Sequence, residues 1–290
     1  MKILVLGASG LVGGNCLKYM GEMGQEVIGT YFSFKTQDTV FFDTLNLDNK
    51  DNFNVDDFSP DAIVHCGALT HVDYCEDNKE ESYEKTVRST LNVISLCKQL
   101  GAKLVYISTD YVFDGSDGPY SEEAVVNPIS VYGKHKLEAE NAVLQQIKES
   151  IVIRITNVYG DEIRNKNFIS RIVGMILKNE KLHLRLPVDQ YATPVNAHDV
   201  ARAIYELLLS GKEGLYNISS SDFLNRVELV QKILNRFPDA MYDMYELSTE
   251  ELNQPAPRPL KGGLENNKFL VEFPTFEFST VDDYLDKFEK

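Results

Sequence analysis

Short apolar runs recur along the first half of the chain: Ile3 to Leu6, Glu26 to Thr30, Val40 to Phe42, Ala62 to Cys66, Leu104 to Ser108 and Ile151 to Ile155. They are rich in β-branched residues, and amphipathic stretches such as Leu91 to Leu100 and Lys134 to Ile147 separate them. Apolar runs of this length alternating with helical periodicity predict buried parallel strands joined by crossover helices. The fold class expected is therefore α/β, a doubly wound parallel sheet with a smaller mixed α/β domain. After Tyr159-Gly160 the rhythm changes to a helix at Phe168 to Leu177, polar loops and the proline-rich stretch Pro255 to Pro259. A lone apolar run at Leu215 to Ile218 reads as a return to the sheet. The expected division is residues 1–158 with a returning segment near 195–220, and residues 159–194 and 221–290 as the second domain. The acidic tail from Val281 reads as a solvated end, with a short amphipathic helix as the alternative.

Composition narrows the class. In 290 residues, 43% are hydrophobic and 25% charged, enough apolar content for a full core. The 44 Asp and Glu against 29 Lys and Arg give a net charge of −15, which works against nucleic acid as a partner. Met1 to Leu6 runs directly into a glycine turn without a long apolar segment behind a basic start, so neither a signal nor a transit peptide is expected. No stretch is long enough to span a bilayer, and the expected location is cytoplasmic, with no membrane partner. Cys16, Cys66, Cys75 and Cys97 show no CxxC pairing and read as reduced, buried thiols. The five histidines, His65 and His71 among them, lack metal-site spacing, so no metal is expected.

Gly7-Ala8-Ser9-Gly10-Leu11-Val12-Gly13 follows the first strand and opens an amphipathic segment. Glycines there allow a tight turn that brings backbone amides against a pyrophosphate at a helix start. A dinucleotide is the expected cofactor. The second strand ends Tyr31-Phe32-Ser33-Phe34-Lys35, with hydroxyls and a cation but no carboxylate. A carboxylate at that place would bind the adenosine ribose and repel a 2′-phosphate, so the sequence favours NADP(H) with NAD(H) possible. Ser33 and Lys35 are candidate phosphate contacts, with a solvated loop lysine as the alternative. Farther on, Tyr132 and Lys136 lie four apart on a predicted helix and share a face. An ammonium beside a phenol lowers its pKa from about 10, suiting it to proton transfer near neutral pH. Thr109, closing a strand, can hydrogen-bond the same substrate oxygen.

These motifs together resemble the extended short-chain dehydrogenase/reductase superfamily and, within it, the dTDP-4-dehydrorhamnose reductase family. The resemblance spans nearly the whole chain, on GASGLVG at Gly7, PDAIVHCGALTHVD at Pro60, STDYVFDG at Ser108, PISVYGKHKLEAE at Pro128, DQYATPVNAHDVA at Asp189 and Arg258-Pro259. It implies a Rossmann domain, a substrate domain, and NADPH-dependent reduction of a 4-keto-6-deoxy sugar on a nucleoside diphosphate. It assigns Thr109, Tyr132 and Lys136 as the catalytic set, with Lys136 also on the nicotinamide ribose. Gly7, Ser9, Gly10, Leu11 and Val12 match the pyrophosphate turn, and Cys66, Gly67 and Ala68 a loop covering the cofactor. Asp43 or Asn46 falls near the adenine, and Asp110, Asn157 and Arg258 join Thr109 and Tyr132 on the substrate side. Three positions depart from the family pattern: Asn157 replaces a common Trp, Thr86 stands where an Asn often supports proton relay, and Leu260-Lys261-Gly262-Gly263 follows Arg258.

Two other functions fit the same motifs. A nucleotide-sugar epimerase or dehydratase shares the superfamily, although Tyr111 follows Asp110 where dehydratases carry a Glu. A regulatory protein of this branch, like the β subunit of methionine adenosyltransferase, would act through a partner instead. Arg164, Lys166, Arg171 and Arg185 each read equally as surface charges or ligand contacts, whereas Arg258 is fixed between two prolines. A homodimer is the commonest assembly for such chains.

Overall fold

The computed structural model describes residues 1–49 and 53–288. Strands β1 (Lys2–Leu6), β2 (Glu26–Tyr31), β3 (Thr39–Phe41), β4 (Ala62–His65), β5 (Lys103–Thr109), β6 (Ile151–Ile155) and β8 (Gly214–Asn217) form one sheet. Every pairing in it is parallel, and among the described residues the order is β3-β2-β1-β4-β5-β6-β8. Strand order reverses between β1 and β4, the place where open α/β sheets bind ligands at their carboxyl edge. Two further strands, β7 (Leu182–Pro187) and β9 (Tyr242–Leu247), pair parallel in a separate ribbon.

Alternate residues of each strand enter opposite cores, as a sheet covered on both faces requires. Ile3, Val5, Val105, Ile151 and Ile153 meet Cys16 and Met20 of the helix Leu11–Glu22 and Val200 and Ile204 of the helix Ala197–Leu209. Leu4, Leu6, Leu104, Tyr106 and Val152 meet Val93 and Ile94 of the helix Ser89–Leu100 and Ala139 and Val143 of the helix Val131–Gln146. Phe269 is fully buried in the first of these cores, with Phe273, Phe276 and Phe278 packed on it, although these residues lie in the stretch assigned by sequence to the second domain. A third core joins Ile169 and Ile172 of the helix Phe168–Leu177 to Leu182, Leu229 and Ile233.

The tail differs from a solvated end. Residues Val281–Asp286 form a helix whose Val281, Tyr284 and Leu285 are buried in that third core. Their i, i+3, i+4 spacing puts three apolar side chains on one stripe, and a capping box between Thr280 and Asp283 starts the helix.

The Val131–Gln146 helix sets the geometry of the candidate chemistry. Ser130 caps it by accepting from the Gly133 N–H at 3.2 Å, and the Glu76 carboxylate accepts from the Val131 N–H at 2.9 Å. A Cβ at Gly133 would lie 2.2 Å from the Tyr111 carbonyl oxygen, so only glycine lets the helix press against the turn after β5. Glu140, two turns beyond Tyr132, is buried and accepts from Arg154 of β6 through both Nε (3.1 Å) and Nη2. The Arg154 guanidinium also lies 5.1 Å over the Phe113 ring. Leaving one member of a buried pair uncompensated is costly, whereas replacing both by apolar residues is often neutral. Arg154→Met should therefore destabilise the protein by about 3–5 kcal/mol in urea unfolding, and Glu140→Leu/Arg154→Met should recover most of that loss. A single-variant cost below about 1 kcal/mol would remove the pair as the helix's anchor.

Candidate active site

The glycine turn is built as the sequence predicts, from backbone approach. Gly7 has φ +78°, and a Cβ there would meet the Gly67 nitrogen at 3.1 Å and the Cys66 carbonyl carbon at 3.3 Å. A Cβ at Gly13 would lie 2.5 Å from the Gly7 carbonyl oxygen, so the first helix can begin this close to the strand only with glycine at that position. The helix cap Gly10 offers no side chain to the first-turn amides, and no acidic residue stands in that turn. Ser9, Leu11 and Val12 are half-buried along the same turn, and Cys66, Gly67 and Ala68 lie half-buried at the end of β4 beside it. Such a cradle, with free amides and a backbone wall, fits a pyrophosphate.

At the outer edge of this half, Tyr31 ends β2, and Ser33 and Lys35 are exposed on either side of Phe34. Asp43 and Asn46 both follow β3. Asp43 accepts from the Leu45 N–H at 2.9 Å through its side chain and from the Asn46 N–H at 3.1 Å through its carbonyl, so the two share one turn.

Thr109, Tyr132 and Lys136 converge above β5. Thr109 is buried at the strand's carboxyl end, and its Oγ1 accepts from the Tyr111 N–H at 3.2 Å. Burial pushes the Tyr132 phenol well above its usual range, and the Thr109 hydroxyl partly offsets this. Tyr111 packs edge-on against the Tyr132 ring, with centroids 5.5 Å apart. Lys136 is buried, donates to the Ile107 carbonyl, and lies 4.2 Å over the Tyr106 ring. Burial lowers its ammonium to about 7, against the opposing pull of Glu140 and Cys66. The sequence leads one to expect a lysine that depresses the tyrosine. In this arrangement the ammonium is held by the Ile107 carbonyl, and burial dominates the phenol instead. Beneath them, His65 is buried, its Nε2 lies 3.3 Å from Thr90 Oγ1, and burial lowers its imidazole to about 3. Thr86 is buried in the π-helical stretch Glu84–Arg88, and its Oγ1 has no partner.

On the opposite wall, Asp110, Tyr111, Asn157, Gln190, Tyr191 and Arg226 line a narrow cleft. Asp110 is buried, and burial pushes its carboxyl up. Its Oδ2 accepts from the Gly263 N–H at 3.2 Å, and a Cβ at Gly262 would stand 2.9 Å from the same oxygen. Glycine at 262 and 263 is thus what allows the loop to pack on Asp110. Arg258 bonds Asp73 at 2.8 Å and leaves its Nη1 buried without a partner. Asn157 adopts left-handed backbone at φ +42°, tolerated best by Gly and Asn, and its Oδ1 accepts from Arg226 at 2.7 Å. Burial lowers the Arg226 guanidinium, Tyr111 and Asp110 oppose that, and the nearby Arg171 and Arg258 cations push it down further. A wider cleft of ≈ 640 Å³, bordered by Ile176, Phe237 and Phe288, touches none of these residues.

Comparisons with known proteins agree with this geometry. The family described as the RmlD substrate binding domain matches residues 1–288. The chain belongs to this family. A dTDP-4-dehydrorhamnose reductase structure from Clostridium acetobutylicum is 29% identical and superposes with a TM-score of 0.84 over 100% of both chains. The Bacillus anthracis dTDP-4-dehydrorhamnose reductase, solved in complex with NADP, is 25% identical with a TM-score of 0.85 over 99% of this chain and 98% of that one. Methionine adenosyltransferase 2 subunit beta of Bos taurus is 30% identical over 243 residues, 81% of this chain and 72% of its own length. Among the described residues no helix is long and apolar enough to cross a membrane.

Two residues of this family member escaped sequence reasoning. Glu140 was readable as the third member of the Tyr132, Lys136, Glu140 column at spacing four. Arg226 carries a subtler sign: it is a cation in the first turn of the helix Arg226–Arg236, where the helix dipole disfavours positive charge. Lys166, Arg171 and Arg185 are exposed, while Arg164 is half-buried.

The Lys136 shift has a measurable consequence. The folded ammonium loses its proton near pH 7 and the unfolded one near 10.5, so the unfolded chain binds more protons between those values and stability rises with pH there. Lys136→Met should gain stability relative to the natural chain at low pH, and that gain should shrink as pH rises from about 6 to about 9 in urea unfolding. A difference flat across that window would contradict the buried, charge-penalised lysine.

Proposed function

We propose that this protein is a reductase that uses NADPH, with NADH possible, to convert the keto group of a nucleoside-diphosphate 4-keto-6-deoxy sugar to an alcohol. The observation that carries this reading is the convergence of Thr109, Tyr132 and Lys136 at the carboxyl end of β5, on the same sheet edge as the Gly7–Gly13 turn. When bound, the reduced dinucleotide supplies the hydride. Tyr132 holds a proton that burial retains at neutral pH, and it delivers that proton to the substrate oxygen as the carbonyl becomes an alcohol. Thr109 orients the same oxygen, and Lys136 returns a proton to the phenol and contacts the nicotinamide ribose. Lys136 titrates near 7, so it can both lose and regain a proton at working pH.

The dinucleotide takes the sheet half, residues 1–158 with the return over 195–220, and the sugar nucleotide takes 159–194 and 221–290. Gly7, Ser9, Gly10, Leu11, Val12, Cys66, Gly67 and Ala68 surround the pyrophosphate, with Tyr31 and Asp43 toward the adenosine. Arg226 and Arg258, each with a cationic group in or beside the cleft, supply positive charge for the substrate diphosphate. Asp110 shapes the cleft by anchoring the Gly262-Gly263 loop, and Asn157 contacts the sugar. The preference for NADPH is supported by the absence of a carboxylate at Tyr31 to Lys35 and by the NADP complex of the Bacillus anthracis relative.

Similarity to methionine adenosyltransferase 2 subunit beta supports a second reading, a regulatory subunit that binds the dinucleotide without turning over. Incubating the protein with NADPH and a panel of nucleoside-diphosphate 4-keto-6-deoxy sugars separates the two. A reductase oxidises NADPH with at least one of them, and Tyr132→Phe lowers that rate by about a thousandfold while leaving NADPH affinity unchanged. Bound NADPH without turnover across the panel would favour the regulatory subunit.

A further inference from the structure

Two of the four thiols meet beneath the glycine turn, brought together by two close backbone approaches. Gly13 of the first helix presses on the Gly7 carbonyl, and Gly7 presses in turn on the backbone of Cys66 and Gly67. Cys16, three residues after Gly13, lies on the same helix face and is fully buried. Cys66 follows β4 and is tied to β1 by its N–H on the Leu6 carbonyl at 3.0 Å. It packs against the core that contains Cys16. The Cys16 thiol bonds to the Cys66 sulfur, and that bond together with burial pushes the Cys16 thiol up.

The two sulfurs differ in access. Cys16 has none, whereas Cys66 is half-buried and stands near enough to Lys136 to favour the charged form of that ammonium. A partly exposed thiol beside a cationic group is the setting in which cysteines react. The other two cysteines lack it. Cys75 is buried and donates to the Leu69 carbonyl at 3.4 Å, and Cys97 is buried in the core on the other face of the sheet.

We propose that Cys66 and Cys16 are an oxidation site, at which a peroxide oxidises Cys66 and Cys16 then closes a disulfide across the floor of the dinucleotide cradle. The Cys66 sulfur attacks one peroxide oxygen, the O–O bond breaks, and a sulfenic acid and one water result. The Cys16 sulfur then attacks the sulfenic sulfur. The S–S bond forms, the S–O bond breaks, and the oxygen leaves as a second water with the Cys16 proton. Two thiols are oxidised and one peroxide is reduced. Because an S–S bond is shorter than a contact between thiols, closing it draws the Cys66-Gly67 wall toward the helix, and Gly7, already pressed on that wall, must shift with it. The cradle then loses its fit to a dinucleotide, and a bound dinucleotide shields Cys66. This rests on the dinucleotide reading above and adds its control by oxidation.

The natural protein and Cys16→Ala, both reduced, are treated with hydrogen peroxide with and without NADPH, then alkylated, digested and read by mass spectrometry. Calorimetry gives the NADPH affinity of each form. The natural protein should convert two of its four thiols into a linked Cys16 and Cys66 peptide, more slowly with NADPH bound. Its oxidised form should bind NADPH about tenfold or more weakly until dithiothreitol restores it. Cys16→Ala, checked for folding by circular dichroism, should stop at a Cys66 sulfenic acid captured by dimedone. Absence of the linked peptide, a link through Cys75 or Cys97 instead, or unchanged NADPH affinity in the linked protein would overturn the assignment. A linked peptide in a protein whose reduced form binds no NADPH would keep the thiol pair and sink the dinucleotide reading.

Discussion

The buried pair between Glu140 and Arg154 is the constraint on which the site depends. It ties the Val131–Gln146 helix to β6 at a point two turns beyond Tyr132, so the helix cannot rotate without stranding a charge in the core. A rotation of the helix would carry Tyr132 and Lys136 away from Thr109 together. The same carboxylate also favours the charged form of Lys136, against burial that disfavours it. Gly133 completes the arrangement by letting the helix start lie against the Tyr111 carbonyl. The pair thus fixes the helix that carries Tyr132 and Lys136, and its carboxylate offsets part of the burial that lowers Lys136.

Net charge and ligand charge point in opposite directions in this molecule. A chain at −15 repels anions at long range, yet the dinucleotide and sugar nucleotide proposed as its ligands are both anionic. The conflict is resolved locally. The Gly7–Gly13 turn presents amides rather than side chains, and Arg258 and Arg164 each keep a buried donor without a partner. Ion pairs elsewhere, such as Lys212 with Glu272, engage the surface charges with each other.

Much of the fold was legible because its signals are local. The β-branched runs at Ile3, Ala62, Leu104 and Ile151 each became a strand, and the run at Leu215 rejoined the sheet as β8, since parallel strands buried on both faces leave few polar positions to confuse the pattern. At the tail the short-helix alternative forms rather than the solvated end, because three apolar residues in an acidic stretch look solvated until a third core is present to receive them. At the site, the glycine turn and the Tyr132, Lys136 spacing could be read from neighbouring residues. The Arg226 to Asn157 bond, the Arg164 to Phe34 stack and the Asp110 grip on Gly263 could not, because each joins residues far apart in sequence whose meeting depends on how the two halves fold together. The direction of Lys136, onto the Ile107 carbonyl, is likewise a tertiary fact that helical spacing does not contain.

Whether this site transfers hydride, recycles it or only binds the nucleotide is decided most directly by isotope transfer. The protein would be incubated with NADPH deuterated at the reactive nicotinamide carbon and a nucleoside-diphosphate 4-keto-6-deoxy sugar, and the sugar examined by NMR. A reductase built on Tyr132 places one deuterium on the sugar C4 for each NADPH oxidised. Bound NADPH with no deuterium in the sugar, or an altered sugar with no net NADPH consumption, would contradict that chemistry.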